Sequence, residues 1–385
     1  MKFSILLPTR NRLDLLLLAI NSVREQDYGD WEILVSDNAS DADIAAETRK
    51  LGEPRIRTRR FDRLVPVTDN WNAALEMATG EYCIMLGDDD VLVPGGLAKA
   101  RALIDEWGGP DALYAQAHQY AYPGVIPGHP RAFVQTGYNA FLEGKDRPFR
   151  LAPADARQLA LAAMEFRILY GFNMQHFVFR GMLVDRLKAK GPFFQSPYPD
   201  YYAANAILLS ARSLVATPEP VCMIGISPKS FGFYYANSKE SEGVAFLNNI
   251  ADADIAGRLE GQIVPGTNMN DSWLCAMETL KRNFPEAGAR VAYARYRRLQ
   301  YHAILHSGEP ARYLLLLRTM RLWEIAVYGA TAAAYFMARL LPAKLSLRVR
   351  DAISHMLFSR SPRFDPHLEE VPYLDILEAS RANAR

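Results

Sequence analysis

The sequence predicts an α/β fold in which a mostly parallel sheet is flanked by helices, with a helical C-terminal extension. Near the N-terminus, short apolar runs that end in polar residues alternate with segments whose apolar positions recur at helical spacing. Strands joined through helices require right-handed crossovers, which place those strands parallel in one sheet. From about residue 240 onward the spacing is helical.

The first strand is predicted at residues 3–7, an unbroken apolar run closed by Pro8. Asn11 is a suitable N-cap for the helix that follows, because its short polar side chain can accept hydrogen bonds from the first helical N–H groups. A second buried strand is predicted at 31–35 and a third at 55–61, where the polar composition indicates a sheet edge.

A helix capped by Asp69 or Asn70 is predicted to run to Ala78, and a strand at 82–86 follows it. In a parallel sheet the carboxyl ends of the strands share one edge, and ligands bind beyond that edge. The residues that follow the predicted strands are polar and acid-rich, namely 8–12, 36–38 and 87–90. The chemistry is therefore expected at this edge.

The composition divides the chain into three regions. Residues 1–115 show the regular alternation of strands and helices. Residues 116–235 hold many glycines, prolines and aromatic residues, typical of loops and short strands, with helices predicted at 154–167 and 200–211. Residues 236–385 form the helical C-terminal region.

Composition and charge exclude several classes of protein. The 385 residues are 50% hydrophobic and 23% charged, which excludes extended disorder. With 44 Lys+Arg against 43 Asp+Glu the chain lacks the basic excess of a dedicated nucleic-acid binder. Its 3 cysteines are too few and too far apart for a disulfide framework or a thiolate zinc site, and no signal-peptide pattern opens the chain. We therefore expect a cytoplasmic protein.

Residues 311–350 differ from the rest because basic residues far outnumber the single acidic residue, Glu324. Within them, residues 325–338 are an uncharged run of 14, whereas a bilayer span needs about 20 residues. Basic residues beside apolar helices fit a peripheral contact with anionic lipid at the inner face of the membrane. An ordinary core helix with arginines on its solvent face is the alternative.

Three consecutive aspartates, Asp88 to Asp90, follow the predicted strand at 82–86. Carboxylates so close raise one another's pKa and repel, which is costly in a purely structural role. A divalent cation removes this cost, since Mg²⁺ or Mn²⁺ prefers one or two carboxylates together with phosphate oxygens. The alternative is a solvated turn in which an aspartate caps the next helix.

The motifs in their order and spacing resemble the family-2 glycosyltransferases, nucleotide-sugar-dependent enzymes of the GT-A fold. These motifs are Pro8-Thr9-Arg10-Asn11-Arg12, Ser36-Asp37-Asn38-Ala39-Ser40, Gly80-Glu81-Tyr82 and Leu86-Gly87-Asp88-Asp89-Asp90. The resemblance covers residues 3 to about 105 and extends more loosely to about 235. It implies that 1–115 bind the nucleotide sugar and that 116–235 are the acceptor-binding half, which carries the catalytic base, of the same GT-A domain.

The resemblance assigns the donor to residues from the ends of the predicted strands. They are Pro8, Thr9 and Arg10 along the nucleoside, Asp37 on the base, and Asp88 towards the ribose and sugar. A carboxylate suits the ring N–H of uracil, although an Asx-turn that ends the strand is the alternative for Asp37. Asp89 is the expected ligand of Mn²⁺ or Mg²⁺, with Asp90 as a water-mediated ligand or a helix cap. Gly87 stands where the family commonly has an aspartate, so the register of the motif is ambiguous.

The resemblance also implies a carboxylate base that takes the proton of the acceptor hydroxyl. Asp200 is the candidate, although Pro199 stands where the family usually has a second acid. An N-cap without a chemical role is the alternative for Asp200. His176 and Tyr201 are candidates for the acceptor site, and a structural histidine is the alternative for His176.

The function implied is a metal-dependent, inverting transfer of a hexosyl or N-acetylhexosaminyl group from a nucleotide-diphosphate donor, expected to be a UDP-sugar. The expected acceptor is a glycan or a lipid-linked glycan in polysaccharide or cell-surface glycan synthesis. A nucleotidyltransferase is disfavoured, because residues 8–12 contain no glycine. A non-catalytic scaffold that binds nucleotide or glycan on the same fold is the other alternative.

Overall fold

The computed structural model describes residues 1–125, 130–136, 140–230, 253–264, 266–307, 310–338 and 367–383, together with 340–342, 345–346, 348–349 and 352–353. Within these residues an eleven-stranded mixed sheet carries helices on both faces. The strands are β1 (Phe3–Thr9), β2 (Trp31–Asp37), β3 (Ile56–Arg60), β4 (Tyr82–Met85), β5 (Val91–Leu92), β6 (Ala112–Ala121), β7 (Ala132–Thr136), β8 (Phe149–Leu151), β9 (Phe177–Arg180), β10 (Leu214–Ile226) and β11 (His367–Val371).

The helices alternate with the strands in the first part of the chain and dominate after residue 253. They are α1 (Leu13–Arg24), α2 (Ile44–Arg49), α3 (Val67–Glu76), α4 (Gly96–Glu106), α5 (Pro153–Met164), α6 (Gly181–Leu187), α7 (Pro199–Ser210), α8 (Ala253–Leu259), α9 (Asn268–Asn283), α10 (Tyr293–Ser307), α11 (Pro310–Thr319), α12 (Leu322–Ala338) and α13 (Ile376–Ala382). None of the helices described is both long and apolar enough to cross a bilayer.

The N-terminal half of the sheet is parallel, as the alternation of elements predicts. The main path of the sheet has the order β11-β7-β6-β9-β4-β1-β2-β3, and β1 pairs in parallel with both β2 and β4. The second half adds antiparallel pairs of β9 with β4 and β6, while β10 runs parallel to β6. The α/β fold is therefore confirmed, with its parallel part confined to the strands that carry the predicted motifs and to the β6–β10 pair.

The strands at the centre are buried on both faces because alternate side chains point into two separate cores. Ile5 and Leu7 of β1 pack into the core that α1 and α4 cover, whereas Leu6 faces the core that contains α5 and α7. All seven residues of β1 are buried. A rigid, two-sided strand of this kind fixes the position of the loop that follows it.

Two predicted helix starts are wrong by a few residues. Helix α1 begins at Leu13 with Arg12 at its N-cap, while Asn11 has a φ of 54° and accepts a hydrogen bond from the N–H of Asp41 instead of capping. Helix α3 begins at Val67, before the predicted caps, because Pro66 fixes an extended entry into the helix. The Asn11 side chain thus links the loop after β1 to the loop after β2, which contains Asp41.

The C-terminal region is largely helical, as predicted, but its last described part returns to the sheet. Strand β11 pairs antiparallel with β7, and α13 packs against α1 and β10. Arg381 of α13 forms an ion pair with Glu25, in which Nε lies 3.0 Å from the carboxylate. Residues at the C-terminus thus contribute to the N-terminal unit.

Candidate active site

A cavity of about 490 Å³ opens at the carboxyl ends of β1, β2 and β4. Thr9, Asn38 and the segment 87–90 form the wall at these strand ends. Residues from α3, β6, β10, the 168–175 loop, α7 and α9 also line the cavity. The volume lies in the range of known small-molecule sites, about 300–1,000 Å³. All three regions distinguished in the sequence therefore contribute to one cavity.

Arg12 lies against the acidic segment at the base of this cavity. Its Nη1 is 2.9 Å from Asp88 Oδ1 and 3.5 Å from Asp89 Oδ2, and its Nη2 donates to the carbonyl oxygen of Lys229. Thr9 Oγ1 donates to the other oxygen of Asp88 over 2.7 Å. Burial would lower the pKa of Arg12, but Asp88 and Asp89 raise it well above its usual range. The guanidinium is therefore a permanent positive charge between these carboxylates.

Asp90 is buried, and its carboxylate accepts three hydrogen bonds. Its Oδ2 accepts hydrogen bonds from the N–H of Gly87 at 2.9 Å and from Gln175 Nε2 at 2.6 Å, while its Oδ1 accepts from the N–H of Gly225 at 2.8 Å. Burial and the neighbouring Asp89 raise the pKa of Asp90 well above its usual range, and the N–H groups of Gly225 and Gly87 oppose this shift. These bonds favour a structural role for Asp90, which joins three separate loops of the site.

Asp88 and Asp89 have the donor set that Mg²⁺ and Mn²⁺ require when a diphosphate supplies further oxygens. Both residues line the cavity, and Ser227 Oγ lies 3.3 Å from Asp89 Oδ2. Burial raises the pKa of Asp89 to about 6, partly offset by Arg12. Within the described ranges no group of three or more His, Cys, Asp or Glu side chains surrounds a metal position. The pair would fit a cation to which a diphosphate supplies further oxygen ligands.

The predicted donor residues do not all lie on the cavity. Pro8, Thr9 and Arg10 line it. Asp37 is fully buried. Its Oδ1 accepts a hydrogen bond of 2.9 Å from the N–H of Ser40, and its Oδ2 lies 3.2 Å from Arg60 Nη1. At this strand end the wall is formed by its neighbour Asn38.

Asp200 stands in the first turn of α7, and its side chain is partly accessible from the cavity that it lines. Its Oδ1 accepts a hydrogen bond of 2.9 Å from the N–H of Met174. Burial raises the pKa of Asp200 to about 7, and the Met174 hydrogen bond opposes the shift. Tyr198 is the N-cap of α7, so the alternative in which Asp200 is the N-cap is wrong. The place of Asp200 in the first turn puts its carboxylate near the positive end of the helix dipole.

His176 and Tyr201 lie in the core, and neither belongs to the cavity wall. His176 Nδ1 is 2.9 Å from the carbonyl oxygen of Ala115, and its ring stacks on Tyr114 at a centroid distance of 5.4 Å. Burial lowers the pKa of His176 to about 4, so that its ring is neutral near pH 7. The environment is that of a structural histidine, while Gln175 beside it faces the cavity.

Several residues of the cavity wall lie outside the motifs that the sequence identifies. They are Trp71, Phe172, Gln175, Met269 and Trp273. The Trp273 ring lies 5.8 Å from Phe172 and 6.3 Å from Tyr198, so that α9 supplies part of an aromatic surface. Met269 and Trp273 are four residues apart and therefore share a helix face, which is visible in the sequence. Which face meets the cavity depends on the packing of α9 against α7.

Comparison with known proteins identifies the N-terminal part of the chain. Residues 4–155 match the family Glycosyl transferase family 2. A GalNAc(5)-diNAcBac-PP-undecaprenol beta-1,3-glucosyltransferase of Campylobacter jejuni is 37% identical over 100 residues, which are 25% of this chain and 32% of that protein. A putative colanic acid biosynthesis glycosyl transferase, WcaA, of Escherichia coli is 32% identical over 136 residues, 34% of this chain and 49% of that protein.

The chain thus matches about a third to a half of the length of these relatives. Among solved structures, TarS 1–349 of S. aureus in complex with UDP aligns over 96% of each chain at 15% identity, with a TM-score of 0.48. The motifs identified in the sequence lie within the matched residues 4–155, and three of them, at 8–12, 36–40 and 86–90, stand at the strand ends that border the cavity. Over residues 4–155 the chain is therefore similar to glycosyl transferase family 2, and these residues begin the α/β unit described above.

Proposed function

We propose that the protein is a metal-dependent, inverting glycosyltransferase that moves a sugar from a nucleotide diphosphate, a UDP-sugar in the first instance, to a glycan acceptor. The observation that carries the proposal is that one cavity is lined by Asp88 and Asp89 together with Asp200. An acidic pair suited to a cation–diphosphate complex and a separate carboxylate suited to proton transfer are the two functions that single displacement requires.

In this proposal Asp88 and Asp89 hold the cation, with Asp89 as the principal ligand. When bound there, Mn²⁺ or Mg²⁺ offsets the charge that develops on the leaving diphosphate. Pro8, Thr9 and Arg10 contact the nucleoside side of the donor. Asp37 orients the base indirectly, because its buried carboxylate fixes the backbone of Ser40 and hence the loop that carries Asn38.

Asp200 is the proposed base. Met174 holds one carboxylate oxygen, and the other can accept the proton of the acceptor hydroxyl as that oxygen attacks the anomeric carbon. A pKa of about 7 suits this task, since the group can both take up and release a proton near neutral pH. Inversion follows if the acceptor attacks from the face opposite the leaving diphosphate.

The acceptor class rests on the aromatic wall and on the relatives. Trp71, Phe172, Tyr198 and Trp273 provide flat apolar surfaces, which suit the faces of sugar rings. The Campylobacter jejuni relative is named for a glucosyl transfer to an undecaprenol-linked glycan, and WcaA for colanic acid biosynthesis. We therefore propose a lipid-linked or polysaccharide acceptor and a hexosyl or N-acetylhexosaminyl donor.

We also propose that the enzyme works at the cytoplasmic face of a membrane, which it contacts through α11 and α12. Leu315, Leu322 and Trp323 are 49%, 86% and 53% exposed, and Arg318 and Arg321 are exposed beside them. Helix α12 is held to α10, where Tyr328 stacks on Tyr301 at 5.0 Å. Exposed apolar residues flanked by arginines fit the boundary of an anionic bilayer.

Flotation of the full chain with liposomes tests the membrane contact. We expect recovery with anionic vesicles, reduced by Leu322→Glu combined with Trp323→Glu and retained by Leu374→Glu, which alters a leucine that is 76% exposed elsewhere. Equal flotation of all three proteins, or none for the wild type, would argue against a membrane contact at this surface.

Calorimetric titration tests the donor site. UDP, GDP and dTDP are added to the wild type and to Asp89→Ala, each with and without Mn²⁺. The proposal predicts Mn²⁺-dependent binding of one nucleotide, UDP first, that is lost in the variant. Binding of a nucleotide without turnover of any of its sugars would favour the non-catalytic scaffold, which the absence of an acid at Pro199 also fits.

A further inference from the structure

We propose that Arg12 is a resident counter-cation of the donor site, which makes divalent-cation binding by Asp88 and Asp89 depend on the diphosphate. The inference rests on the proposed function, because it concerns the same two carboxylates. It assigns Arg12 a positioning role that none of the sequence motifs specified: the guanidinium holds the carboxylates together in the free protein and is available to the diphosphate when the donor binds.

Arg12 contacts both carboxylates of the proposed cation site. A single nitrogen, Arg12 Nη1, approaches carboxylate oxygens of both Asp88 and Asp89, at 2.9 and 3.5 Å. Arg12 therefore already contacts both of the residues that would hold a cation. Thr9 fixes the remaining oxygen of Asp88, so that the pair is oriented towards Arg12 before any ligand arrives.

The charged side chains of Arg12, Asp88 and Asp89 are all largely buried. The side chains of Asp88 and Asp89 are only 6% and 11% exposed, and that of Arg12 is 8% exposed. Carboxylates buried this far from water are strongly destabilising unless a positive charge neutralises them. A guanidinium stays protonated at any ordinary pH, so the neutralisation by Arg12 is permanent in the free protein. A divalent cation that enters alone must displace this charge and then lie beside it.

A diphosphate would remove the competition between Arg12 and the cation for Asp88 and Asp89. The planar guanidinium can form paired hydrogen bonds with phosphate oxygens, as it does with a carboxylate. With a diphosphate present, Arg12 has a new anionic partner, and Asp88 and Asp89 are released to the cation. Because coupling between two ligands is reciprocal, each should strengthen the binding of the other. Arg12 also donates to the Lys229 carbonyl, so its movement would reach the 227–230 loop.

Binding of Mn²⁺ in the absence of nucleotide, measured by electron paramagnetic resonance, tests the inference without any activity assay. Arg12→Gln is compared with the wild type and with Arg49→Gln, a matched control that removes the same charge from the exposed end of α2, outside the cavity wall. We expect Arg12→Gln to bind Mn²⁺ about tenfold more tightly than the other two proteins, within the usual range of such couplings. Thermal melting should show Mn²⁺ stabilising Arg12→Gln more than the wild type.

The inference is overturned if Arg12→Gln binds free Mn²⁺ no more tightly than the wild type, or if Arg49→Gln gains as much. If Arg12→Gln does not fold, Arg12→Met serves instead, because methionine also removes the charge and keeps an unbranched side chain. A gain of at least about threefold is then expected, and no gain contradicts the inference. Failure of the proposed function is a different result: the wild type would bind no nucleotide even with Mn²⁺.

Discussion

The N–H of Met174 donates a hydrogen bond of 2.9 Å to Oδ1 of Asp200, which joins the loop before β9 to the first turn of α7. Around this bond the site is apolar, with Phe172 and Tyr198 close by in the cavity wall. A carboxylate that is drawn away from water by such surroundings prefers its neutral form, and one backbone donor compensates only in part. The pKa of about 7 follows from this balance.

The first prediction concerns pH. Since Asp200 must be deprotonated to accept the acceptor's proton, kcat/KM for sugar transfer should rise with pH and level off above a pKa near 7. The measurement is a pH series of kcat/KM at saturating Mn²⁺. A flat profile between pH 5.5 and pH 8.5 would exclude a base with this pKa.

The same shift predicts how Asp200 affects stability. In the unfolded chain the pKa of this carboxyl is near its ordinary value of 3.8, whereas in the folded chain it is about 7. The favourable contribution is therefore complete below about pH 4 and is lost as the pH rises through about 7. Urea unfolding should show Asp200→Asn more stable than the wild type at pH 8 and equal to it near pH 4; a variant less stable at pH 8 would contradict the raised pKa.

The second prediction separates Asp89 from its neighbour. Asp90→Asn places an amide N–H₂ group among three N–H donors, so we expect a loss of about 1–3 kcal/mol in unfolding free energy. Asp89→Asn should instead abolish Mn²⁺-dependent UDP binding with a smaller loss of stability, because Asp88 still pairs with Arg12. Denaturant unfolding and calorimetry of both variants check this, and the reverse pattern would make Asp90 the metal ligand.

The third prediction concerns helix α9 in the C-terminal region of the chain. Trp273→Leu keeps an apolar side chain but removes a flat ring from the cavity wall, so KM for donor or acceptor should rise about three- to tenfold. Trp107→Leu is the matched control, because Trp107 packs against the core beneath α4 outside the cavity wall. Steady-state kinetics of both variants decide, and equal changes in KM would show that α9 acts only on stability.

The fourth prediction tests His176 as a structural residue. A Cβ at Gly171 would fall against the His176 ring, so Gly171→Ala should destabilise the protein by about 1–3 kcal/mol. Replacing His176 by Asn in the same chain should recover part of that loss, since the smaller side chain leaves room. A double-mutant cycle of unfolding free energies measures the coupling, and purely additive effects would mean that the two residues do not meet as described.

The parallel half of the fold and much of the site could be predicted from the sequence because the signals are local. An apolar run such as β1 followed by Pro8 and Thr9 contains its own boundaries, and the order of the motifs places them at one edge of the sheet. The role of Arg12 could not be predicted in this way. Its contact with Asp88 spans 76 positions, and no local pattern distinguishes it from Arg10.

The contribution of the C-terminal region to the cavity wall and to the sheet could not be predicted from the sequence either. Trp273 meets Phe172 only because α9 packs against α7, and strand β11 pairs with β7 across the chain. In both cases the helical or apolar pattern is consistent with several partners, and tertiary packing selects one. The position of Asp37 is similar: its place at the end of β2 is predictable, whereas its engagement by Ser40 and Arg60 is not.

Release of UDP from a UDP-sugar, measured together with calorimetric binding of UDP and Mn²⁺, tests the central claim most directly when the wild type is compared with Asp200→Asn. The account predicts that both proteins bind UDP and Mn²⁺ with similar affinity, and that acceptor-dependent release falls by a factor of about 10²–10⁴ in the variant. Undiminished release by Asp200→Asn would contradict the account, since the base would then lie elsewhere.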